Sequence, residues 1–211
     1  MSNMKIVEPS VEILTPINGE EILKHIEKCG RVCYKSEGNI TDDSAAKFVA
    51  NIIKRGHESV LEHSSITVKF IVDRGISHEI VRHRLASYSQ ESTRWCDYSN
   101  DKFDGELSFI KPCFWGNDNK NYREWELDMV DAEATYKRMR QKGASPQEAR
   151  SILPNSLKTE LIMTANLREW RHFFKLRCAP AAHPQMREVA LLLLTKMKFR
   201  IPVVFDDIGG D

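Results

Sequence analysis

The sequence carries almost no net charge, because 31 basic side chains are balanced by 30 acidic ones among 211 residues, for a formal charge of +1. Proteins dedicated to nucleic acids or anionic membrane surfaces are usually strongly basic, so this balance argues against both partners. Long apolar runs are absent too: Val189 to Leu194 falls well short of the ~18–20 residues of a membrane span. The first ten residues, MSNMKIVEPS, lack the apolar stretch of a signal peptide. We therefore expect a cytoplasmic protein that contacts neither membranes nor nucleic acids.

Several motifs of common sites are also missing. The five cysteines form no CxxC pair, which argues against a disulfide framework and a zinc knuckle. No P-loop, GxGxxG or GxSxG motif occurs, so a nucleotide or flavin here does not sit in a Rossmann fingerprint. His57 and His63 are six positions apart, and His78 and His83 five, so neither pair has the spacing of HExxH. We predict no metal site.

What the sequence does contain is the composition of a globular protein with a core. Hydrophobic residues make up 41%, and nine Phe, five Tyr and four Trp supply large apolar surfaces. There is no internal repeat, low-complexity tract or flexible linker, and the length suits one domain. We therefore expect a single domain over residues 1–211.

Hydrophobic periodicity indicates a helix-rich α+β fold. Apolar and polar side chains alternate from Ile66 to Val72, which is typical of a half-buried strand. Ser145, Pro146 and Glu148 have the pattern of a helix start with a capping box, and Pro154 ends that helix. The same reasoning predicts helices at 19–35, 42–55, 120–142, 167–177 and 184–199, a short helix from Gly75, and strands at 65–73, 107–110 and 158–165.

The polar stretch from Arg82 to Arg94 is the most unusual part of the chain. It combines three arginines with an imidazole, several hydroxyls and an amide. Guanidinium groups bind phosphate oxygens in a bidentate manner, so Ser92, Thr93 and Arg94 are candidates for gripping one phosphate. A solvated, charge-balanced loop has the same composition, and the residues alone leave both interpretations open.

A second basic cluster lies between Arg150 and Arg187. Seven basic residues there are opposed only by Glu160 and Glu169, a local charge of +5 (seven minus two). The cluster favours a small anionic ligand, although each arginine taken singly is also compatible with an ordinary surface position. Cys178 follows Arg177, but a buried thiol is the preferred interpretation over an activated nucleophile.

At these residues the chain resembles a known family, the flavin-dependent thymidylate synthases. Arg82-His83-Arg84, then seven residues and Ser92, is similar to the signature of that family, and Arg94 extends the match. Further segments resemble the family in order along residues 5–205: His57-Glu58-Ser59 with Glu62-His63, Ala149-Arg150 with Leu153-Pro154, Asn166-Leu167-Arg168 with His172-Phe173 and Leu176-Arg177, and Ala181-Ala182 with Arg187-Glu188.

The resemblance implies a fold, a reaction and an assembly. The expected fold is the flavin-dependent thymidylate synthase fold, with a central, mostly antiparallel sheet. The expected reaction makes dTMP from dUMP, with methylenetetrahydrofolate as carbon donor and FAD, reduced by NADPH, as hydride donor. It proceeds without an enzymatic cysteine nucleophile. The expected assembly is a homotetramer whose active sites are shared between subunits.

The resemblance also implies site residues. Those expected to contact FAD are Ser59, Arg82, His83, Arg84, Gln90, Asn166, Arg168 and His172. Those expected to contact dUMP are Glu79, Arg82, Gln90, Glu91, Ser92, Thr93, Arg94, Arg150 and Arg177. Arg177 is the expected catalytic residue, because a guanidinium beside the uracil ring favours ionisation at N3 and stabilises negative charge on the ring.

The chain departs from the family pattern at several positions. Glu79 stands where some members have Gln, and His172 where others have Asn. Thr93 replaces a Gly seen in some members, so its backbone cannot adopt positive φ as freely. His183-Pro184 differs from the family pair at that place. Residues 97–121 have no counterpart and are expected to form a surface loop or a subunit contact.

Two other functions are compatible with parts of the pattern. A nucleic-acid module would use the arginines with exposed aromatics such as Tyr88 and Trp95, against the near-zero net charge. A flavin-binding member without methylation activity would be expected to lose Arg177 or Ser92, and both are present.

Overall fold

The computed structural model describes residues 4–100 and 105–209. The strands in that part of the chain are β1 (Lys5–Val7), β2 (Ser10–Ile13), β3 (Ser65–Asp73), β4 (Ala86–Gln90), β5 (Ser108–Ile110) and β6 (Lys158–Asn166). The helices are α1 (Gly19–Arg31), α2 (Ser44–Lys54), α3 (Arg74–Ile80), α4 (Lys120–Gln141), α5 (Pro146–Ala149), α6 (Leu167–Arg177), α7 (Pro184–Arg200) and α8 (Pro202–Phe205).

The strands form two sheets. β1 pairs in parallel with β5, with Lys5 opposite Ser108 and Val7 opposite Ile110. The other four strands form a mostly antiparallel sheet in the order β2-β3-β6-β4. The predicted α+β class with a mostly antiparallel sheet is confirmed.

The two central strands were predicted from their alternating side chains. Every second residue of β3 from Ile66 to Val72 is buried, as is every second residue of β6 from Thr159 to Ala165. This period-two pattern places the apolar set of each strand on one face. Both predicted strands are confirmed, and each leads directly into a helix that carries candidate site residues.

The long predicted helices are confirmed, with one shortened end. The helix expected at 19–35 is α1, which ends at Arg31 and continues as a 3-10 helix over Val32–Tyr34. Lys35 then adopts a left-handed conformation, with a φ of 47°, which ends the helical path. The predicted capping box at Ser145 is present, but α5 is short and gives way to a 3-10 helix at Arg150–Ile152.

Several short elements were not predicted, namely β1, β2, β4 and α8. The most consequential is β4, which lies within the polar stretch from Arg82 to Arg94, where no strand was predicted. β4 is an edge strand of its sheet and carries mostly exposed side chains, so it has no apolar alternation to reveal it.

Contacts divide the described residues into two compact units. Unit 1 takes its residues from Met1–Ser10, Phe70–Arg82 and Ser89–Ile162. Unit 2 takes its residues from Val11–Lys69, His83–Tyr88 and Met163–Asp211. The single domain expected over 1–211 stays a prediction.

The core of unit 1 includes part of the segment 97–121, which was expected to be a surface loop or a subunit contact. Tyr98, Leu107 and Phe109 are buried there with Met129 and Tyr136 of α4. Large apolar side chains therefore anchor this segment, and the loop expectation was wrong for these residues. Residues 101–104 of the segment lie outside the described part of the chain.

The core of unit 2 is aromatic. Trp170, Phe173 and Phe174 of α6 lie in ring contact with one another, and Phe205 of α8 meets Phe174 edge to face at 5.6 Å. α1 packs on α2, and α6 packs on α7 and α8. This packing fixes the position of α6.

In residues 4–100 and 105–209, the helices are too short or too polar to cross a bilayer.

Candidate active site

In unit 1, the first candidate site residues follow the N-terminus of α3. β3 ends at Asp73, whose Oδ1 accepts a hydrogen bond of 2.7 Å from the backbone N–H of Ile76 and caps α3. Glu79 lies half-buried in the last turn of α3, and Arg82 follows on the surface. The cap fixes the start of α3 and so helps to position two candidate dUMP contacts, Glu79 and Arg82.

Gln90 is held by hydroxyl groups at the end of β4. Its Nε2 donates to Oγ of Ser77 at 2.9 Å and to Oγ1 of Thr159 at 3.3 Å. Nη1 of Arg74 also donates to Thr159 Oγ1, at 3.3 Å. The buried hydroxyl of Thr159 thus ties α3, β4 and β6 together within unit 1.

Glu91 is bound to the protein through every polar group that it has. Its carboxylate accepts from the Tyr98 hydroxyl at 2.7 Å and from Lys158 Nζ at 3.1 Å. Its backbone N–H donates to the backbone carbonyl of Glu160, and its own backbone carbonyl accepts from Nη1 of Arg74. These bonds favour a structural role, and the expected contact of Glu91 with dUMP stays a prediction.

A turn at Ser92–Cys96 brings two arginines together. The carbonyl of Ser92 accepts from the backbone N–H groups of Trp95 and Cys96, and its Oγ accepts from the N–H of Arg94 at 3.3 Å. Nη1 of Arg150 donates to Thr93 Oγ1 at 3.4 Å. Neither Arg94 nor Arg150 has an ion pair with a described residue, so positive charge accumulates uncompensated around this turn.

The Arg94 guanidinium has two neutral neighbours. Its Nε donates to Oε1 of Gln147 at 3.2 Å, and its Cζ lies 5.1 Å from the ring centroid of Trp95. Both contacts orient the group without neutralising it. Such an arginine remains able to bind an anion.

In unit 2, α6 carries the other candidate residues. β6 ends at Asn166, whose Oδ1 accepts from the backbone N–H of Glu169 at 2.9 Å and caps the helix. Arg168 leaves the first turn and pairs with Glu62 at 2.6 Å, where both side chains are about half exposed. The predicted flavin contact Asn166 therefore uses its side-chain oxygen as the helix cap.

A hydrogen-bonded chain in unit 2 joins the buried His83 to two residues of α6, the buried Glu169 and the half-buried Arg177. His83 Nδ1 lies 2.9 Å from Oε1 of Glu169, and Nε of Arg177 donates to His83 Nε2 at 3.1 Å. His83 and Glu169 are 4% and 6% exposed. The Tyr88 hydroxyl also donates to the backbone carbonyl of His83, at 2.6 Å.

The hydrogen bonds define the protonation state of His83. Its Nε2 accepts from a permanently charged guanidinium, so the neutral ring carries its proton on Nδ1 and donates it to Glu169. Burial lowers the pKa of His83 and Arg177 lowers it further, whereas the hydrogen bond to Glu169 opposes the shift. His83 is therefore neutral at pH 7.

The donor atoms of His83, Glu169 and His172 lie within 4.8 Å of one another, close enough to surround a metal ion. Both ring nitrogens of His83 are already engaged, one with Glu169 and one with Arg177. A cation would also meet the positive charge of Arg177. We interpret His83 and Glu169 as members of a hydrogen-bonded chain, with the His172 ring 5.6 Å from that of His83, and the absence of a metal stays a prediction.

Unit 2 also contains a cavity of about 680 Å³. Its wall includes two residues expected to contact flavin, Ser59 and Arg168, together with Arg31, Arg55 and His57. Arg31 is paired with Glu27, whereas Arg55 has no ion pair among the described residues. The volume is in the range of cofactor sites.

Comparisons with known proteins identify the family of this chain. Residues 18–203 match the family described as thymidylate synthase complementing protein. A flavin-dependent thymidylate synthase of Geobacter sulfurreducens is 34% identical over 186 residues, 85% of this chain and 78% of the relative. One from Mycobacterium avium is 32% identical over 96% of this chain and 85% of its own. One from Pyrococcus furiosus is 37% identical over 76% of this chain and 66% of its own.

The chain belongs to the flavin-dependent thymidylate synthase family. The predicted family and its enzyme class are thereby confirmed. The fold agrees as well. A crystal structure of a UMP/dUMP methylase, PolB from Streptomyces cacaoi, bound with 5-Br dUMP, has a TM-score of 0.77 with this chain at 23% identity, over 96% of each chain.

The candidate residues of this flavin-dependent thymidylate synthase family member divide between the two units. All expected dUMP contacts except Arg177 belong to unit 1, where Ser92, Thr93, Arg94 and Arg150 are brought together. The expected FAD contacts in unit 2 are Ser59, His83, Arg84, Asn166, Arg168 and His172. The other two, Arg82 and Gln90, belong to unit 1.

Thr93 stands where some family members have Gly, and its backbone conformation does not require glycine. Among the described residues, Lys35 is the non-glycine with a positive φ, and Thr93 keeps an ordinary negative one. Its hydroxyl accepts from Arg150, a bond that glycine cannot make. The concern over its backbone was therefore unfounded, and the substitution adds a contact.

Several residues of the candidate site were not predicted from the sequence. Glu169 was counted only as an opposing charge, although it lies three positions before His172 on a predicted helix, a spacing that brings side chains together. Ser77, Thr159 and Gln147 carried no signal, because their partners are distant in sequence.

Proposed function

We propose that this protein converts dUMP to dTMP by reductive methylation, as a flavin-dependent thymidylate synthase. Methylenetetrahydrofolate supplies the carbon, and FAD, when bound and reduced by NADPH, supplies the hydride. The observation that carries the proposal is the turn at Ser92–Cys96, where Arg94 and Arg150 stand without carboxylate partners among the described residues. Such paired guanidinium groups suit the phosphate dianion of a nucleotide.

The residues of unit 2 are compatible with a flavin. Ser59 and Arg168 line a cavity of about 680 Å³ whose wall also includes Arg55, a guanidinium suited to a pyrophosphate. We propose that these residues hold part of FAD, with Arg84, Asn166 and His172 as further contacts. Arg82 and Gln90 are assigned to both ligands.

Arg177 is the proposed catalytic residue. Its Nε donates to the neutral ring of His83, a contact that fixes the guanidinium without adding a competing charge. An oriented guanidinium at the N3 edge of uracil would stabilise the negative charge that develops on the ring. Reactivity at uracil C5 rises accordingly.

The state of Cys178 supports a route without an enzymatic cysteine nucleophile. This thiol is adjacent to Arg177 in sequence, but burial raises its pKa to about 11. It is therefore a thiol at neutral pH, and thiols are poor nucleophiles compared with thiolates. The preferred interpretation from sequence, a buried thiol, is confirmed.

We further propose a homotetramer in which each active site draws residues from more than one chain. This arrangement is carried over from the family resemblance. Sedimentation of the purified protein measures it directly. A species of four times 24.3 kDa is expected.

The decisive experiment is anaerobic turnover. FAD-reconstituted protein supplied with dUMP, methylenetetrahydrofolate and NADPH should form dTMP. Arg177→Ala should abolish product while much of the flavin stays bound, because Arg177 is assigned to the pyrimidine. Arg123→Ala is the matched control, since Arg123 is an exposed arginine of α4 outside both candidate groups.

Two results would contradict these assignments separately. A reconstituted wild-type protein that forms no dTMP would overturn the proposed activity. Normal turnover by Arg177→Ala would overturn the catalytic role of that residue alone.

For the phosphate contact, Arg94→Ala should raise the KM for dUMP by about tenfold, the equivalent of one charge-assisted hydrogen bond.

A further inference from the structure

The role proposed for Arg177 leaves one neighbouring group unexplained. Glu169 is a carboxylate with 6% exposure, and burying such a group is costly unless it is paired. Its partner here is the ring of His83, at 2.9 Å, and the other nitrogen of that ring accepts from Arg177 at 3.1 Å. A carboxylate, an imidazole and a guanidinium are thus joined in series.

We propose that Glu169 is a positioning residue for Arg177, acting through His83. The proposal rests on the catalytic role of Arg177 proposed above. Glu169 holds the His83 proton on Nδ1, which leaves Nε2 as the acceptor that orients the guanidinium. A carboxylate behind the ring also makes Nε2 a stronger acceptor, because hydrogen bonds in a chain polarise one another.

The contacts that connect Glu169 with Arg177 in this chain pass through the imidazole of His83. The nitrogen of Arg177 that is bound in this chain meets the imidazole rather than the carboxylate. A direct ion pair would cancel the charge that the uracil ring needs. The interposed ring transmits orientation while it keeps the two charges apart.

The protonation of His83 decides whether the chain is intact. If His83 gained a second proton, Nε2 would become a donor and could no longer accept from Arg177. The charged or titratable groups that face the ring are Glu169, Arg177 and His172 on α6, with the Tyr88 hydroxyl at its backbone carbonyl. Phe173 covers the ring, at 4.9 Å between centroids.

The sign of the pH effect follows from these neighbours. The active form has neutral His83, so activity should fall as the pH drops through the pKa of His83. Glu169 raises that pKa, whereas Arg177 and His172 lower it. Removing the charge of Glu169 should therefore move the acid limb of the kcat profile to lower pH, although kcat itself falls.

The first experiment compares Glu169→Gln with wild-type protein in the FAD-reconstituted state. The amide keeps the shape and an acceptor oxygen but not the charge. We expect kcat for dTMP formation at pH 8 to fall by about tenfold, with the KM for dUMP changed by less than about threefold. The acid limb of kcat should shift to lower pH.

The matched control is Glu133→Gln. Glu133 is also a fully buried glutamate, paired with Lys137 and with the backbone N–H of Leu107, and it lies in unit 1. Its replacement should leave the acid limb where it is. A merely structural role for Glu169 would give the same unshifted limb as this control, and that result would overturn the proposal.

The second experiment reads His83 without using activity. Nitrogen-15 NMR of histidine-labelled, FAD-loaded protein, with the His83 signal assigned by its loss in His83→Gln, reports the tautomer and the titration. We expect the Nδ1–H tautomer in wild type. We also expect a lowered pKa in Glu169→Gln and a raised one in Arg177→Ala.

The opposite shifts of the His83 pKa expected in the two variants test the hydrogen-bonded chain independently of each other. If Glu169→Gln does not fold, the Arg177→Ala titration and the wild-type tautomer decide. An Nε2–H tautomer, or a His83 pKa that neither variant moves, would overturn the chain. If wild-type protein forms no dTMP while His83 behaves as expected, the proposed activity fails and the hydrogen-bonded chain stands.

Discussion

The most stringent stability prediction concerns Arg171, the most deeply buried charge of α6. Its guanidinium is 1% exposed and lies 3.1 Å from Oε1 of Glu58 and 2.6 Å from Oδ1 of Asp207. It also donates to the backbone carbonyl of Val204 beside α8. One side chain therefore joins α6, the 3-10 helix at Glu58–His63 and the end of the chain.

Arg171→Met keeps most of the buried apolar volume and removes these bonds. The buried carbonyl of Val204 loses its donor at a cost of about 1–2 kcal/mol, and Glu58, 18% exposed, loses a similar amount. Asp207 is 49% exposed, so water replaces much of its lost bond and its share is below about 1 kcal/mol. The total of about 2–5 kcal/mol overlaps the range measured for breaking buried ion pairs.

Equilibrium unfolding in urea measures this loss. With a slope of about 2–3 kcal/mol per molar urea, we expect the midpoint to fall by about 1–2 M. Arg200→Met, which removes an exposed arginine of the same unit, should change stability by less than about 0.5 kcal/mol. Adding Glu58→Gln to Arg171→Met should recover only a small part of the loss, because Lys175 Nζ still lies 3.6 Å from Oε1 of Glu58 and compensates its charge. A midpoint for Arg171→Met that matches the Arg200→Met control would refute this reasoning.

Three further predictions concern other groups. Asp97→Asn should lower the free energy of unfolding at pH 7 by about 1–3 kcal/mol, because hydrogen bonding to Arg140 holds the pKa of Asp97 far below its ordinary value. In urea titrations, the difference in this free energy between the variant and wild type should shrink as the pH falls below the ordinary pKa of Asp. Cys178 should resist a thiol reagent at pH 8 while the exposed Cys33 and Cys113 react, and mass spectrometry of the labelled peptides would show a modified Cys178 if burial did not protect it. Thr159→Val should raise the KM for dUMP several-fold by releasing Gln90 and Arg74, whereas an unchanged KM would separate this hydroxyl from the site.

The elements that sequence reasoning predicted are those whose packing leaves a periodic trace. β3 and β6 bury every second side chain, and the long helices bury an apolar stripe, so the pattern is visible in the chain itself. β4 contributes backbone bonds to the sheet edge but few buried side chains, and its composition is that of a loop. In the segment 97–121 the alternation of Leu107 and Phe109 indicated a short strand, but Tyr98 is isolated among polar residues, and no pattern showed that the three share a core with α4.

The candidate site was predicted to the extent that its residues are neighbours in sequence. The stretch from Arg82 to Arg94 is one continuous signal, and the phosphate interpretation depends mainly on it, with support from the basic cluster between Arg150 and Arg187. Its partners are remote: Gln147 is 53 positions from Arg94, and Arg150 is 57 positions from Thr93. Only the folded chain shows which hydroxyl and amide groups hold these arginines, and that they are held by neutral groups.

Glu169 shows most clearly why counting charges is insufficient. In the sequence it reduces a basic cluster by one unit, which makes the cluster look less suited to an anion. In the structure it bonds to His83, 86 positions earlier in the chain, and the other ring nitrogen of His83 accepts from Arg177, which is the basis for the proposal that the carboxylate positions the guanidinium. A carboxylate in direct contact with an arginine compensates its charge, whereas the role proposed for Glu169, one imidazole removed, is to position it. The number of acidic residues near a basic cluster therefore says little about anion binding until the intervening hydrogen bonds are known.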